Sequence, residues 1–381
     1  MQVTLDDRPP RLTMAITELD IGGAEKALVR IAQGLQSRGW DVQVISLRDS
    51  GPLAAEREGS GIPVLALGCG GLTDVRAVWR MKRALVSRNP DILLTFLHQA
   101  NLVGRLAGRW ARVPRIISGI RVADRRWSVI IPERLTSRLV DHYVAVGHAV
   151  SRKHAGLCGI RSERFTVIPN GVDMETIRQS PSTDRKSLPV GPNDVVILSV
   201  GRLSQQKAPM DLLSAFQLLQ RGHQDPSRPL RLVFVGDGPL RSSLQKAIDV
   251  SSFRDSVFLL GWRSDVWGLM KSSDMLVLTS HWEGLPNVIL EAQSAGLPVI
   301  ASSVDGCPEL ITDKLSGRLF PCGATDELAR ILAEFIARPQ EAAAMAATAS
   351  AVVREKFSWD TCVEQYHSLL RSCLGPSNQK S

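Results

Sequence analysis

Long apolar runs are missing from this sequence of 381 residues. No segment approaches the roughly 20 consecutive apolar residues that a helix needs to span a bilayer. The N-terminus also lacks a basic region followed by an apolar one, which is the pattern of an export signal. These absences argue against a membrane-spanning or exported protein, and we expect the chain to stay in the cytoplasm.

Cysteine is scarce, and its spacing does not indicate metal binding. The six cysteines, at positions 69, 158, 307, 322, 362 and 373, include no C-x-x-C pair. Neither a zinc site nor a disulfide framework is therefore indicated. We predict isolated thiols, most of them buried.

The length and composition are those of a globular protein with two domains. A hydrophobic fraction of 44% supplies enough apolar side chains for packed cores. A chain of 381 residues is too long for one ordinary core, so two domains are expected. The first ten and the last seven residues lack an apolar pattern, and we expect both ends to be loosely held.

Short apolar runs alternate with helical patterns along both halves of the chain. This alternation predicts an α/β fold in which a parallel sheet is wrapped by helices. A polar, proline-containing stretch without apolar periodicity separates the halves and predicts a linker. We therefore predict a first domain over residues 1–178, a linker over 179–193, a second domain over 194–357, and a final helix with a loose tail over 358–381.

The stretch from Ser280 to Ala292 places two carboxylates around a predicted helix start. An apolar strand precedes it, a Glu-Gly-Leu-Pro turn follows, and residues 287–295 predict a helix. Unpaired backbone N–H groups and the helix dipole favour an anion at such a start. Glu283 on the turn and Glu291 inside the helix could accept hydrogen bonds from sugar hydroxyls on either side of a phosphate. A solvated turn Glu and a helix-surface Glu would give the same pattern.

Two cations bracket a second predicted helix entry. Arg202 could hold a diphosphate by paired hydrogen bonds and Lys207 by its point charge, whereas as exposed loop charges they would be unremarkable. Other strand ends carry glycine, which lets backbone approach a ligand, although a bare turn explains such glycines equally well. These glycine turns are Gly22-Gly23, Gly236-Asp237-Gly238 and Gly261-Trp262-Arg263.

Three polar residues of the first half follow predicted strands. His98 and Asn101 lie just past the strand Ile92 to Phe96, where ligands bind in open α/β sheets. Arg121 follows the next strand and would share that rim. We therefore consider all three as substrate contacts, against the alternative that His98 is a structural surface residue.

The first half also carries a concentration of positive charge. Residues 76–138 contain fourteen Lys or Arg against three acids, within a net charge of +8 for the chain. Such a patch could hold nucleic acid, an anionic membrane or a phosphate-bearing substrate, or could be a solvated surface. Nucleic acid is least supported, since no recognition motif accompanies the charge. Trp127 with the apolar 129–131 could form a membrane-touching loop, an acceptor loop or a core segment.

Several of these motifs together resemble the series found in retaining glycosyltransferases of family 4. In chain order they are Gly22-Gly23, Ile168-Pro169-Asn170-Gly171-Val172-Asp173, Gly201-Arg202-Leu203 with Lys207, Gly236-Asp237-Gly238-Pro239, and Glu283 with Glu291. Each motif is weak alone, but the resemblance covers about residues 12–372 in order and at fitting distances.

The resemblance implies a GT-B architecture, with two doubly wound Rossmann-like domains facing each other across a cleft. The second domain would hold a nucleotide sugar and the first its acceptor, and the last helix would cross back onto the first domain. Arg202 and Lys207 would bind the diphosphate, Glu291 the ribose, and Glu283 the donor sugar. Catalytic roles fall to Glu283, Arg202, Lys207 and His98. Further donor contacts would come from Gly22, Gly23, Gly236, Gly238, Trp262, Arg263, Gly284, Leu285, Pro286 and Asn287.

Two stretches depart from the family pattern. Where the family often has Lys-Gly, this chain has Lys207-Ala208-Pro209, which changes the backbone freedom of that loop. Where similar members carry Ser-Glu-Arg-Asn, this chain has Ser118-Gly119-Ile120-Arg121, so only the arginine is retained.

The chain contains no Asp-x-Asp pair, the usual means of holding a divalent metal on a sugar diphosphate. We expect no metal and no cofactor, with protein cations neutralising the leaving group. The expected reaction retains the anomeric configuration and uses a nucleotide sugar, commonly a UDP-sugar, with GDP-mannose as an alternative. The acceptor would be a glycan or lipid-linked hydroxyl at the inner membrane face. The alternatives are an epimerase, a phosphorylase and a non-catalytic sugar-nucleotide-binding protein.

Overall fold

The computed structural model describes residues 8–20, 22–49, 51, 61–70, 74, 76–124 and 126–374. The chain divides into two compact units. Unit 1 comprises the described part of Met1–Gly171 and Trp359–Ser381, and unit 2 comprises Val172–Ser358. The ends that we predict to be loose, residues 1–7 and 375–381, lie outside the described residues.

Unit 1 contains a seven-stranded parallel sheet with helices on both faces. Its strands are β1 Arg11–Ile16, β2 Asp41–Ser46, β3 Val64–Ala66, β4 Ile92–Phe96, β5 Arg115–Ile120, β6 His142–Ala145 and β7 Phe165–Val167. The spatial order is β3-β2-β1-β4-β5-β6-β7, and every pair is parallel. Its helices are α1 Gly23–Gln36, α2 Arg76–Arg88, α3 His98–Trp110, α4 Trp127–Thr136, α5 His148–Cys158 and, at the C-terminus, α14 Trp359–Leu374.

Apolar side chains on both faces of β1 explain why helices cover both sides of this sheet. Leu12, Met14 and Ile16 join a core with α1 and α14. Ala15 points to the opposite face and joins a second core with α2 and α3. Such continuous apolar runs are typical of buried parallel strands. The α1 and α14 backbones come close at Gly34, where an added Cβ would lie 2.5 Å from Val363.

Unit 2 repeats the same winding with six strands. They are β8 Val195–Val200, β9 Leu230–Val235, β10 Val257–Leu259, β11 Met275–Leu278, β12 Val299–Ser302 and β13 Arg318–Phe320, in the order β10-β9-β8-β11-β12-β13. The helices are α6 Met174–Gln179, α7 Pro209–Gly222, α8 Arg241–Asp249, α9 Val266–Lys271, α10 Asn287–Ser294, α11 Cys307–Leu310, α12 Thr325–Ala337 and α13 Pro339–Lys356. Two doubly wound, Rossmann-like units confirm the expected α/β fold class.

The division between the units differs from the predicted boundaries. Unit 2 begins at Val172 rather than after residue 178, and the segment predicted as a linker, 179–193, belongs to unit 2. Thr183 Oγ1 donates to Asp265 at 2.9 Å, and Arg185 Nε donates to the Ser272 carbonyl at 3.0 Å. The polar composition of residues 179–193 indicated a linker. In the structure, the polar groups of this segment instead form hydrogen bonds to α9 and to the residues beside it.

Residues 127–136 form helix α4, although the sequence suggested a loop or a core segment there. On its inner side, Glu133 is buried beside Arg105 of α3, whose side chain is fully enclosed. Arg105 Nη2 lies 2.6 Å from Glu133 Oε1, and Arg105 also donates to Ser118 and Thr136 hydroxyls. His154 Nε2 lies 3.4 Å from the same carboxylate oxygen.

The burial of Arg105 shows that part of the positive charge predicted for a basic patch over residues 76–138 is not on the surface. Arg105 is internal, and several further arginines counted in that patch have partners within unit 1. Arg109 donates to Asp141 at 2.8 Å, Arg115 to the Cys373 carbonyl at 2.7 Å, and Arg126 pairs with Asp124. Arg125 lies outside the described residues. Counting charges along the sequence therefore overstated the free positive charge.

The Glu133 pair predicts an acid-sensitive component of stability. Burial by itself raises the pKa of Glu133, but the neighbouring His154 and the charge of Arg105 outweigh it and lower the pKa to about 2. A carboxyl with a depressed pKa stabilises the fold above its unfolded value, near 4.5, and loses this contribution as pH falls toward 2. In thermal unfolding experiments, the Glu133→Gln variant should be less stable than wild type at pH 7. It should also lose less stability than wild type does between pH 4.5 and 2.5.

The exposed Glu355 provides a matched control for this experiment, because Glu355→Gln should leave the pH profile unchanged. The opposite change, Arg105→Met, leaves Glu133 buried without its main partner and is expected to cost about 3–5 kcal/mol. Equal pH profiles for wild type and Glu133→Gln would show that the pair contributes nothing to acid stability.

All six cysteines are free, and Cys69, Cys158, Cys307 and Cys362 are buried, which confirms the prediction of isolated thiols. In the part of the chain that the structure describes, no helix is both long and apolar enough to cross a membrane.

Candidate functional site

The loop after β8 is joined to the loop after β11 in unit 2. Thr279 Oγ1 donates to the carbonyls of Lys207 and Ala208, each at 3.0 Å. The His281 amide donates to the Gln206 carbonyl at 2.8 Å. Because β8 and β11 are adjacent parallel strands, both loops leave the same carboxyl edge of the sheet. This edge brings the predicted Lys207 and Glu283 together.

Lys207 and Glu283 form an ion pair at the centre of this edge. Lys207 Nζ lies 2.5 Å from Glu283 Oε1, and the Ser280 hydroxyl donates to the same oxygen at 2.6 Å. The Glu283 residue is 5% exposed. The Lys207 side chain is 23% exposed and carries three N–H donors, so it can hold Glu283 and still donate to an anion. Both of these bonds use Oε1, and Oε2 of Glu283 makes no hydrogen bond with the described residues, so it is the oxygen available to a hydroxyl.

Helix α10 begins at Asn287, directly after this turn. No side chain caps its first turn, in which the Ile289 amide donates to the Pro286 carbonyl at 3.1 Å, and the positive end of the helix dipole favours an anion beside this turn. Gly284, Leu285 and Pro286 of the turn are buried. Glu291 is half-buried and lies one turn into α10, as the sequence predicted.

Arg202 differs from Lys207 in its surroundings. It is exposed on the loop after β8, and it makes no hydrogen bond or ion pair with the residues that the structure describes. A guanidinium that the fold does not use internally can form paired hydrogen bonds with phosphate oxygens. Arg202 is therefore the cation of this loop that is fully available to a ligand.

Ala208 adopts the left-handed conformation that glycine favours. Its φ is 45°, and it lies where the family pattern often has glycine. The amides of both Lys207 and Ala208 donate to the Ser204 carbonyl at 3.1 Å, which closes the turn. A left-handed alanine costs about 1–2 kcal/mol. Alanine at this position therefore adds backbone strain to the loop.

Asp305 is a residue of this edge that sequence reasoning missed. Its Oδ2 accepts the Glu283 amide N–H at 2.9 Å, and its φ is 41°, a region that aspartate visits more readily than most residues. The adjacent Gly306 touches the same turn, since an added Cβ would lie 2.1 Å from the Gly284 carbonyl oxygen. The sequence signal was the Asp-Gly pair after β12, another strand end at this edge. Asp305 is thus a positioning residue for Glu283.

Two substitutions at position 305 distinguish a positioning role of Asp305 toward Glu283 from a purely structural role. Asp305→Gly suits the positive φ but removes the acceptor of the Glu283 N–H, so we expect kcat to fall about fivefold with an unchanged or raised Tm. Asp305→Asn keeps an oxygen acceptor and tolerates this backbone conformation, so it should remain near wild type. Steady-state turnover and thermal unfolding measure both effects. Wild-type kcat in the glycine variant would show that Asp305 does not position Glu283.

Close packing requires glycine at positions 236 and 238, both of which the sequence analysis assigned to binding of the donor nucleotide sugar. An added Cβ on Gly236 would lie 2.1 Å from the Gly201 carbonyl oxygen, and one on Gly238 would lie 2.4 Å from that of Leu203. These glycines let the loops after β8 and β9 lie against each other. They therefore shape the edge on which Arg202 is placed.

The turn after β10 presents one exposed and one engaged side chain. Trp262 is 62% exposed and is free to stack on a planar group. Arg263 forms two hydrogen bonds with Asp265, at 2.8 and 2.7 Å, and this pairing lowers the pKa of Asp265 to about 2. Arg263 is thus committed to its own turn, and Trp262 is the better candidate contact for a nucleotide base.

In unit 1, the Gly22-Gly23 turn precedes α1 as predicted. The side chain of Glu25 folds back over it, so that an added Cβ on Gly22 would lie 2.2 Å from a Glu25 carboxylate oxygen. Burial, and then the nearby acids Glu18 and Asp20, raise the pKa of Glu25. The start of α1, which the sequence suggested as an anion site, therefore already lies next to the carboxylate of Glu25.

The three polar residues predicted at the rim of unit 1 differ in their availability. His98 is the first residue of α3 and is half-buried, and burial lowers its pKa, so its imidazole is neutral at pH 7. Leu97 before it has a positive φ of 71°. His98 makes no hydrogen bond with the described residues that would occupy its ring nitrogens.

Asn101 and Arg121 are instead part of the interior of unit 1. Asn101 accepts from the Thr95 hydroxyl at 2.7 Å and donates to the Gly119 carbonyl at 3.2 Å. Arg121 donates to Asn170 and lies over the Phe96 ring at 5.1 Å from its centroid. The acceptor-binding roles predicted for these two residues do not fit, because their polar atoms are buried and used internally.

Among the described residues, no group of three or more His, Cys, Asp or Glu side chains is placed to hold a metal ion.

Comparison with known proteins places the chain in a class. A family model described as Glycosyltransferase Family 4 matches residues 21–176, and one described as Glycosyl transferases group 1 matches residues 181–352. The chain is 27% identical over 338 residues to the UDP-Gal:alpha-D-GlcNAc-diphosphoundecaprenol alpha-1,3-galactosyltransferase of Escherichia coli, covering 82% of this chain and 84% of that protein.

Two further relatives extend over almost the whole chain. The lipopolysaccharide core biosynthesis glycosyltransferase LpsD of Rhizobium meliloti is 26% identical over 350 residues, covering 91% of this chain and 94% of that protein. The crystal structure of Anabaena HepE in complex with UDP and glucose has a TM-score of 0.84 and 25% identity, covering 95% of this chain and 100% of that one.

The fold, the basic and acidic strand ends of unit 2 and these relatives define a GT-B glycosyltransferase. Within that class, the chain belongs to glycosyltransferase family 4, of the group 1 type.

Proposed function

We propose that this enzyme transfers a sugar from a nucleotide diphosphate sugar, of the UDP type, to a hydroxyl of a glycan or lipid-linked acceptor in cell-surface polysaccharide synthesis. The observation that carries the proposal is the Lys207–Glu283 pair at the carboxyl edge of unit 2, next to the start of α10. The relatives support the donor and acceptor classes, since one is named for using UDP-Gal on a diphosphoundecaprenol-linked sugar and the structure of another contains UDP and glucose.

Each part of the donor has a counterpart in unit 2. Arg202 and Lys207 neutralise the diphosphate, whose oxygens also accept from the amides at the start of α10. Glu283 accepts hydrogen bonds from the sugar hydroxyls, and Glu291 from those of the ribose. Trp262 stacks on the base.

The proposed transfer retains the anomeric configuration and needs no metal. The bond from the anomeric carbon to the phosphate oxygen breaks as the acceptor oxygen bonds to the same face of that carbon. The acceptor proton moves to the departing phosphate, which therefore serves as the base. Arg202 and Lys207 stabilise the negative charge that develops on the leaving group, the task that a metal ion performs elsewhere.

For the acceptor, the proposal assigns His98 of unit 1 a hydrogen bond to a hydroxyl. The neutral imidazole can both donate and accept, and its position after β4 is where open α/β sheets bind ligands. Because lipid-linked acceptors reside in a bilayer, we propose that the enzyme works at the inner face of the membrane.

The test is product analysis with the purified enzyme. Nucleotide sugars that raise its Tm are first identified, because a ligand that binds only the folded state stabilises it. The selected donor is incubated with candidate acceptors, with and without EDTA, and the new linkage is examined by NMR. Retained configuration with unchanged EDTA rates is expected, whereas an inverted product or loss of activity in EDTA would contradict the mechanism.

The same incubations address the other candidate activities. Conversion of the nucleotide sugar without any acceptor would indicate an epimerase. A requirement for inorganic phosphate would indicate a phosphorylase. Donor binding without transfer or hydrolysis on any acceptor would indicate a binding protein.

A further inference from the structure

One face of unit 1 exposes an unusual amount of apolar surface. In its described part, every large apolar side chain that is at least 49% exposed lies on α2, α3 or α4. These three helices follow one another in contact, α2 against α3 and α3 against α4. The side chains are Trp79, Val86, Trp110, Trp127, Ile131 and Leu135. We call this surface the α2–α4 face.

Helix α4 provides the most exposed part of the α2–α4 face. Trp127, Ile131 and Leu135 follow one another at a spacing of four residues, so they form a single stripe along the helix. Their exposed fractions are 71%, 52% and 76%. The opposite side of α4 buries Val129, Ile130 and Glu133. The helix is therefore apolar on its outer side as well as on its inner one.

The charges on the same three helices have one sign. Their only acidic residue is Glu133, which is 2% exposed and held by Arg105. Arg76, Arg83 and Arg134 are exposed on the helices, and Arg138 is exposed just beyond α4. The charged ends of Lys82 and Arg83 lie over the rings of Trp110 and Trp79, at 4.9 and 4.7 Å from their centroids. The α2–α4 face thus combines exposed indole and aliphatic groups with cations only.

We infer that the α2–α4 face docks on an anionic lipid bilayer. Apolar and indole side chains enter the boundary between headgroups and acyl chains, and Lys or Arg beside them pair with anionic headgroups. The inference rests on the proposed function, which places the acceptor in a membrane. It keeps only part of the charge patch read along the sequence, because Arg105, Arg109, Arg115 and Arg121 are used inside unit 1, whereas the docking arginines of the same stretch are exposed.

The test is flotation of the full-length protein with vesicles. One set contains phosphatidylcholine alone, and the other contains about 30% phosphatidylglycerol. We expect binding to the anionic set, weaker binding at 0.5 M than at 0.1 M salt because ions screen the arginines, and little binding to the neutral set.

Two variants test the apolar and the charged component separately. W127S/I131S/L135S removes the stripe and is expected to lower the vesicle partition coefficient at least about tenfold. R134E/R138E is expected to abolish the preference for phosphatidylglycerol. V250S/L315S is the matched control, because Val250 and Leu315 are 87% and 59% exposed but belong to unit 2. All variants replace exposed residues, and equal Tm values verify that they fold.

Donor turnover on a water-soluble acceptor, measured in the same variants, separates this inference from the proposed function. Intact turnover with lost vesicle binding is the expected result. The docking inference is wrong if wild-type protein does not bind anionic vesicles, or if the stripe variant binds them as wild type does. Neither result would count against the proposed sugar transfer. A stripe variant that converts a dimer to a monomer in sedimentation, with vesicle binding unchanged, would identify the face as a contact between copies instead. Vesicle binding without any transfer would count against the proposed function alone.

Discussion

Replacing Lys207 by methionine is expected to lower kcat/KM by roughly 10²–10³-fold, the range found when one donor to a developing negative charge is removed. Methionine keeps much of the length and apolar character of the side chain, so the change removes the charge and its three donors. The leaving diphosphate then loses the cation that lies beside Glu283. Both kcat and donor affinity should fall, because the charge acts on the bound donor and more strongly on the departing phosphate.

The same substitution also leaves Glu283 buried without its cation, so stability must be measured alongside activity. Lys246→Met is the matched control, since Lys246 is an exposed lysine on α8 of the same unit. The control should retain wild-type kinetics and Tm. A Lys207→Met enzyme that folds and turns over at the wild-type rate would remove Lys207 from the mechanism.

Arg202→Met is expected to give a comparably large loss, about 10²-fold in kcat/KM, with no loss of stability. The contrast with Lys207 follows from the structure, because Arg202 is exposed and has no partner among the described residues. A side chain that stabilises nothing in the free enzyme can be removed without unfolding it. The increase in Tm that UDP produces in wild type should shrink strongly in this variant.

Arg221→Met controls for the loss of a positive charge, since Arg221 is exposed in the last turn of α7. It should bind UDP and turn over as wild type does. Equal UDP-induced Tm shifts in Arg202→Met and wild type would mean that this guanidinium does not touch the diphosphate.

Much of the fold was predictable because the strands are apolar on both faces. Runs such as 92–96 and 195–200 carry their own signal, and the alternation with helices left a parallel sheet as the natural arrangement. Short edge strands carried less signal, and β13, with Arg318 at its start, was not predicted. Helix α4 was missed as well, because an interior Pro132 and apolar residues on two sides obscure its period.

The candidate site was predicted best where its members share a strand end. Lys207 and Glu283 are distant in sequence, but strands β8 and β11 are neighbours, so their loops meet. Sequence reasoning erred where a polar residue beside a strand end turns inward. Asn101 is held by Thr95 and Gly119, and no pattern in the sequence distinguishes it from an exposed asparagine. Asp305 was missed for a related reason, since its role is a bond to one backbone amide.

The most direct test of the donor site is a crystal structure of the protein with bound UDP. The account predicts the diphosphate against Arg202, Lys207 and the first amides of α10, with the ribose hydroxyls on Glu291. A nucleotide bound in unit 2 away from Lys207 and Glu283, or bound only in unit 1, would contradict it.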